Sequence, residues 1–327
     1  MPARTSTPTT CAFLFPGQGA QTIGMAVDLC ARVPRARAVF DRGRELLGFD
    51  VLEVCRGGPQ EVLDSTRVSQ PAIFLHSIAT LEALAERFGV AGACGTGIPA
   101  AAAAGLSLGE YSALVFAGSL EFEDALRVVG KRGEYMQAAC DARQGTMASV
   151  MGLGAAEVEA VVESSRAEGL EVGIANYNSP AQTVISGAVP AVESCVEKLK
   201  SAGAKRVILL RVAGAYHSEL MRSATRDLEP LLAKLAISRP RVPFFANCSG
   251  ARVEDPEEVR RGLLMQVESP VRWDRSVRGI IARGVTRAVE IGPAKVLQGL
   301  VKNIDRDVPV ESLGTVEALD NLDAIPV

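Results

Sequence analysis

Residues 100–111 read AAAAAGLSLGEY: five alanines, then Gly105-Leu106-Ser107-Leu108-Gly109, then Glu110-Tyr111. A Gly-x-Ser-x-Gly pattern between an apolar run and a helical pattern has the form of a nucleophile elbow, a sharp strand-to-helix turn that exposes a serine hydroxyl. Alanine is a poor strand former, so a strand over 100–104 rests on its setting: a buried apolar run that ends at glycine. A helix is expected over roughly Glu110–Ala117, stopped at Gly118. Read as a plain glycine-rich turn, the same stretch would leave Ser107 as a helix cap and nothing more.

Working outward, the apolar run Cys11–Phe15 ends at Pro16-Gly17 and reads as a buried strand entering a turn. Helical patterns follow over Met25–Leu47 and Pro71–Phe88. The middle of the chain alternates regularly: a strand over Thr146–Leu153, a helix over Ala155–Glu168, alternation at Val172 and Ile174, a turn at Asn178-Ser179-Pro180 and a strand over Gln182–Ser186. A helical stripe through Val189, Val192, Val196 and Leu199 then ends at Gly203, and Val207–Leu210 reads as a continuous buried strand. The order βαββαβ is the ferredoxin-like arrangement, which can form its own two-layer unit. Leu220, Ala224, Leu228, Leu231 and Leu235 mark a further helix with a kink or split at Pro230. Helix and strand patterns resume over Val259–Arg283 and Ala288–Ile291. The expectation is an α/β body interrupted by a small α+β insert.

Composition narrows the chemistry. The 327 residues carry a net charge of −3, and 48% are apolar. This is enough to bury a large core, with a length prior of about two domains. Mixed, nearly balanced charge argues against nucleic acid as the main partner. Between Arg87 and Glu121 the only charge is Glu110, yet Gly95, Gly97, Pro99, Gly105 and Gly109 interrupt the stretch, so no membrane span is expected. Met1–Thr10 lacks the apolar core of a secretory signal. The seven cysteines are scattered, with no C-x-x-C, which fits neither a disulfide framework nor a zinc set and points to a reducing, cytoplasmic setting. Two histidines exclude His-rich metal sites. His76 lies within the apolar helical pattern of Ile73, Phe74, Ile78 and Leu81 and reads as scaffold. His217 follows the insert and precedes a helix start, where the imidazole is kept neutral and able to accept a proton. It is the better partner for a serine, whose hydroxyl needs a base to be nucleophilic.

Two further features stand out. Ala125, Val129, Arg132 and Met136 fall on one apolar stripe of a helix over Glu123–Cys140, opposite Arg127, Lys131 and Glu134. An inward arginine needs a partner: either an internal salt bridge, or a substrate carboxylate, which suits the guanidinium fork. Phe15-Pro16-Gly17-Gln18-Gly19-Ala20-Gln21 matches neither a P-loop nor a dinucleotide fingerprint. At a strand's C-terminal end it could offer backbone N–H groups to an oxyanion.

FPGQGAQ (15–21), Ser69-Gln70-Pro71, GLSLGEY (105–111), Arg132-Gly133, Asn178-Ser179-Pro180, AYHS (215–218), SPVRW (269–273) and EIGP (290–293) occur in an order that resembles the malonyl-CoA:acyl carrier protein transacylases of fatty-acid and polyketide synthesis. The likeness runs from about Cys11 to Ile304. It implies a hydrolase-like α/β body with a short parallel sheet (1–143 and 214–327) and an inserted ferredoxin-like subdomain (144–213). It also implies ping-pong transfer through a malonyl ester on Ser107, with His217 as base and the backbone N–H groups of Gln18 and Leu108 as oxyanion hole. Arg132 would bind the malonyl carboxylate. The family orients its histidine through a main-chain carbonyl rather than an acidic residue, and the matching segment contains Gln266. Gln70 and Asn178 would line the pocket.

Two positions depart from the family pattern: Leu106 stands where histidine is common before the nucleophile, and Tyr216 stands where malonyl-selective members usually carry phenylalanine, which bears on acyl selectivity. The implied partners are malonyl-CoA and an acyl carrier protein carrying phosphopantetheine, with no cofactor or metal and a monomeric chain. Lys198, Lys200, Lys205, Arg206, Arg278, Arg283 and Arg287 are candidates to meet an acidic carrier helix. A thioester hydrolase, an acyltransferase of other selectivity and an idle carrier-binding module are the alternatives.

Overall fold

The computed structural model describes residues 10–325, so the Met1–Thr9 part of the segment read for a signal lies outside the described residues. Its ten strands are β1 (Cys11–Phe15), β2 (Ala102–Gly105), β3 (Gly145–Met151), β4 (Val172–Ser179), β5 (Gln182–Ala188), β6 (Arg206–Leu209), β7 (Phe244–Ala246), β8 (Ala251–Val253), β9 (Arg287–Ile291) and β10 (Val310–Leu313). They form a six-stranded sheet of order β10-β9-β1-β2-β7-β8 and a four-stranded sheet of order β4-β5-β3-β6. In the larger sheet every pairing is parallel except β7 with β8. The smaller is wholly antiparallel, with the strand order of a ferredoxin-like βαββαβ unit. The fold is thus the expected hydrolase-like α/β body with a second, inserted sheet.

The alanine strand lies near the centre of the large sheet, fully buried between β1 and β7. Small side chains suit that place. Ala103 faces the helices around Phe13 and Phe116, and Ala102 and Ala104 face the Trp273 layer. The turn that follows leaves no room for larger residues. A Cβ on Gly105 would stand 1.9 Å from the Gly109 carbonyl, and one on Gly109 would stand 2.1 Å from the Phe15 carbonyl. Both glycines of the Gly-x-Ser-x-Gly pattern are therefore fixed by close backbone approach.

The family-like motifs at the far end of the chain also have structural work. Within SPVRW, Val271 exchanges backbone hydrogen bonds with Ala175 and Tyr177 at 2.8 and 2.9 Å, fastening β4 of the small sheet to the body. Within EIGP, the buried Glu290 carboxylate accepts the N–H groups of Val296, Leu297 and Gln298, capping the helix Val296–Ile304.

Several elements differ from the sequence reading. Met25–Leu47 is two helices, Val27–Arg32 and Pro34–Leu47, because Val33 is extended before a proline that starts the second. The helix expected from Pro71 begins at Thr66 and carries Pro71 in its second turn. Asn178 and Ser179 end β4, and the turn itself is Pro180-Ala181. Val207–Leu210 is not a buried run: β6 is an edge strand pairing with β3 alone, and Leu209 is 50% exposed. The stretch Val259–Arg283 is two helices, Pro256–Gln266 and Trp273–Ile281, separated by the segment that bonds to β4. After His217 comes a 3₁₀ turn, Glu219–Met221, and then the helix Arg222–Lys234, which contains Pro230.

Candidate active site

The serine elbow is a strained turn. Ser107 has φ +53°, a left-handed conformation that non-glycine residues avoid. Asn247, just after β7, holds it there: its Oδ1 accepts the Ser107 N–H at 2.7 Å and its Nδ2 donates to the Gly105 carbonyl at 2.6 Å. His217, also at positive φ (+58°), reaches Ser107 Oγ through Nε2 at 2.9 Å. Its Nδ1 donates to the main-chain carbonyl of Gln266 at 2.8 Å, so the ring is oriented by a backbone group. With Nδ1 carrying the proton, Nε2 presents a lone pair to the serine hydroxyl. Burial, and secondarily the Arg132 charge, push the His217 pKa down to about 4.

Arg132 is buried on the helix Phe122–Ala142, as the apolar stripe required, and its side chain ends at the same serine. One terminal nitrogen, Nη1, donates to Gln70 Oε1 at 2.6 Å. The other, Nη2, donates to Gln266 Oε1 at 2.8 Å and to Ser107 Oγ at 3.2 Å. The guanidinium lies over the Tyr111 ring at 5.9 Å, and its buried Nε has no partner among the described residues. Among the described residues the arginine has no direct carboxylate partner: it is held by two amides and a hydroxyl, which leaves its charge available to a ligand.

Of the remaining predicted residues, Gln18, Gln70, Asn178 and Tyr216 line the same cleft, whose volume is about 990 Å³. The Gln18 loop packs on the elbow: Leu106 N–H donates to the Phe15 carbonyl at 2.9 Å, and a Cβ on Gly17 would stand 2.3 Å from the Leu106 carbonyl. The backbone N–H groups of Gln18 and Leu108 meet no acceptor among the described residues. Tyr216 turns its hydroxyl to Thr66 Oγ1 at 2.5 Å and to the Gln18 side-chain amide at 3.2 Å. Asn178 lines the cleft from the small sheet, with its Oδ1 buried and unpartnered among the described residues. Leu106, the departure before the nucleophile, packs with the Trp273 layer.

The sequence reading missed Asn247, Thr66 and a role for Glu110. Asn247 and Thr66 sit in no distinctive local pattern, and Glu110 enters only as a lone charge, a helix start and a member of GLSLGEY. His76 is buried away from the site, with its Nδ1 3.4 Å from Thr80 Oγ1. The cysteines are unpaired, and burial pushes the thiols of Cys30, Cys55, Cys94 and Cys248 up to about 12, which leaves them poor nucleophiles. Of the candidate docking cations, Lys198, Lys200 and Arg278 are paired with Glu168, Glu197 and Asp274, while Arg211 lines the cleft. No described helix is long and apolar enough to cross a membrane.

A serine, a backbone-oriented histidine and a buried arginine on one hydroxyl suit acyl transfer from an anionic acyl group. Residues 12–318 match the family model described as an acyl transferase domain. The chain belongs to the acyl transferase family. Among its relatives is a malonyl CoA-acyl carrier protein transacylase of Bacillus subtilis, 41% identical over 94% of this chain and 95% of the relative. The solved transacylase of the same description from Coxiella burnetii superposes with a TM-score of 0.89 at 37% identity, covering 95% of this chain and 96% of that one. A further acyl transferase structure, a malonyl-transacylase in complex with a type II polyketide-synthase acyl-carrier protein, also gives 0.89, at 35% identity over 95% and 98% of the two chains.

Proposed function

We propose that this chain transfers a malonyl group from malonyl-CoA to the phosphopantetheine thiol of an acyl carrier protein, through a malonyl ester on Ser107. The observation that carries the assignment is the Ser107 hydroxyl placed between His217 Nε2 at 2.9 Å and Arg132 Nη2 at 3.2 Å. A base on the nucleophile serves any acyl transfer; a buried cation beside it selects an acyl group that ends in a carboxylate.

In the first half-reaction Ser107 Oγ attacks the thioester carbon while His217 Nε2 takes the hydroxyl proton. The tetrahedral oxyanion is met by the backbone N–H groups of Gln18 and Leu108, each such donor being worth roughly 10²–10³ in rate. Collapse breaks the C–S bond, and the imidazolium returns its proton to the departing CoA sulfur. In the second half the carrier thiol gives its proton to His217 and attacks the ester carbonyl; Ser107 leaves as an alkoxide and recovers the proton. These steps draw only on side chains and backbone, so we assign no cofactor. In this reading the described residues of 1–143 and 214–327 form the catalytic body and 144–213 the opposite wall of the cleft, contributing Asn178. The Tyr216 hydroxyl, held by Thr66 and Gln18, bounds the acyl end.

Intact-mass spectrometry tests the assignment. Malonyl-CoA should leave one malonyl adduct on the protein, and acyl carrier protein should then discharge it with malonyl appearing on the carrier thiol. Absence of an adduct overturns the transferase reading, and discharge to water alone makes the protein a hydrolase. The pH profile offers a second check. A pKa lowered to about 4 means that the neutral, proton-accepting imidazole persists well below the ordinary 6.5. Serine acylation measured as kcat/KM should therefore stay level from pH 7 down to about 5, with its acid limb below that. A limb centred at 6.5 would contradict His217 acting from this buried site.

A further inference from the structure

Glu110 lies in the first turn of the helix after the nucleophile and is only 2% exposed. Its Oε1 accepts the Asn247 backbone N–H at 2.9 Å, and its Oε2 accepts the Gln266 side-chain Nε2. Those two partners are the clamps of the catalytic group. Asn247 holds the Ser107 N–H and the Gly105 carbonyl. Gln266 orients His217 through its main chain, donates Nε2 to the Ser107 carbonyl at 2.9 Å, and turns Oε1 to Arg132 at 2.8 Å. Burial pushes the Glu110 carboxyl up to about 7, and the Asn247 N–H, the Gln266 amide and the Arg132 charge keep it from rising further.

An amide has a donor end and an acceptor end, and a buried one can be turned over unless its neighbours forbid it. Gln266 must show its oxygen to Arg132. Turned over, it would place an NH₂ group against a buried guanidinium, donor against donor, and would lose the bond to the Ser107 carbonyl. Both Glu110 oxygens accept, one from the Asn247 N–H and the other from Gln266 Nε2, and this fixes the donor end of Gln266 on the far side from Arg132.

Resting on the malonyl-transfer reading, we propose that Glu110 is a positioning residue for acyl selectivity: it locks the Gln266 amide so that Arg132 is held fork-outward for the substrate carboxylate. Glu110 touches neither the reacting atoms nor the substrate; it acts through Gln266. The nearly isosteric Glu110→Gln puts an NH₂ group where one oxygen stood. It must then oppose either the Asn247 N–H or the Gln266 Nε2, and relief of the second conflict turns Gln266 over.

The test compares malonyl-CoA with acetyl-CoA loading in wild type, Glu110→Gln, Arg132→Ala and the double variant, with thermal unfolding alongside. Glu110→Gln should raise KM for malonyl-CoA about tenfold, the scale of one hydrogen bond to a charged group, while acetyl loading changes less than about threefold. In the Arg132→Ala background the same change should leave the malonyl-to-acetyl ratio unmoved, because the arginine it positions is gone. Equal loss for both acyl groups, or an undiminished effect in the double variant, overturns the proposal. Should Glu110→Gln fail to fold, Glu110→Asp keeps a carboxylate but draws it back from the Gln266 amide, and it must show the same malonyl-selective loss. Failure of wild type to take any malonyl adduct is a different result, which overturns the transfer reading itself.

Discussion

Ser107→Ala should abolish the malonyl adduct and lower transfer to the carrier by roughly 10⁴-fold or more, the scale seen when a covalent nucleophile is removed from an intact site. The size of the effect follows from the chemistry. His217 has no other hydroxyl or thiol within hydrogen-bond reach among the described residues, and the buried cysteines are held as thiols. The methyl group fits where the serine was, since the Asn247 side chain bonds only backbone groups of the elbow, the Gly105 carbonyl and the residue 107 N–H. The variant should therefore still bind malonyl-CoA, which calorimetry can measure separately from the mass experiment. Binding retained with no adduct is the expected pair of results. An adduct that survives in Ser107→Ala would move the nucleophile elsewhere.

Arg132→Ala should lower kcat/KM for malonyl-CoA by about 10²–10³-fold, the cost of removing one partner from a buried, hydrogen-bonded charge pair. Acetyl-CoA, which has no carboxylate, should be loaded as well as before or better, because truncation removes a cation that otherwise sits unpaired beside a neutral acyl group. Arg132→Lys separates charge from shape. It keeps the cation but cannot hold Gln70, Gln266 and a carboxylate together as the planar fork does, so its malonyl loading should fall between the other two. Paired rate measurements with the two thioesters decide the matter, and equal loss of both would contradict the clamp.

The acid limb of acylation should respond to the same residue. After burial, the Arg132 charge is the next cause of the depressed His217 pKa. Removing the charge relieves that repulsion and moves the limb of Arg132→Ala to higher pH. In wild type, a bound malonyl carboxylate should act in the same direction by neutralising the guanidinium.

Much of the candidate site was legible along the chain because Ser107, His217 and Arg132 each carry a local signal. Ser107 sits in a glycine pattern that backbone contact makes obligatory, His217 is one of two histidines, and Arg132 breaks an apolar stripe. Asn247 carried no such signal, and Glu110, a lone charge within GLSLGEY, carried one that named no role. An asparagine after a short strand and a glutamate in a helix's first turn are ordinary; they become the clamps of Ser107 and Gln266 only once β7 lies beside β2. The local boundaries that failed did so for related reasons. Asn178 and Ser179 look like turn residues but are drawn into β4 by pairing with β5, where Ser179 stands opposite Gln182. The run at Val207 looks buried but lies at an edge.

By itself the sequence determined the alternation of elements, the sharp serine turn, which of the two histidines stands beside it and the inward arginine, because periodicity, glycine sterics and residue scarcity act over a few positions. The tertiary structure alone decided how these converge. It set which carbonyl orients His217, which amides hold Arg132, and that the charge left over faces Ser107 rather than an internal carboxylate. Those are contacts between residues 25 to 159 positions apart, and no local pattern encodes the distance between them.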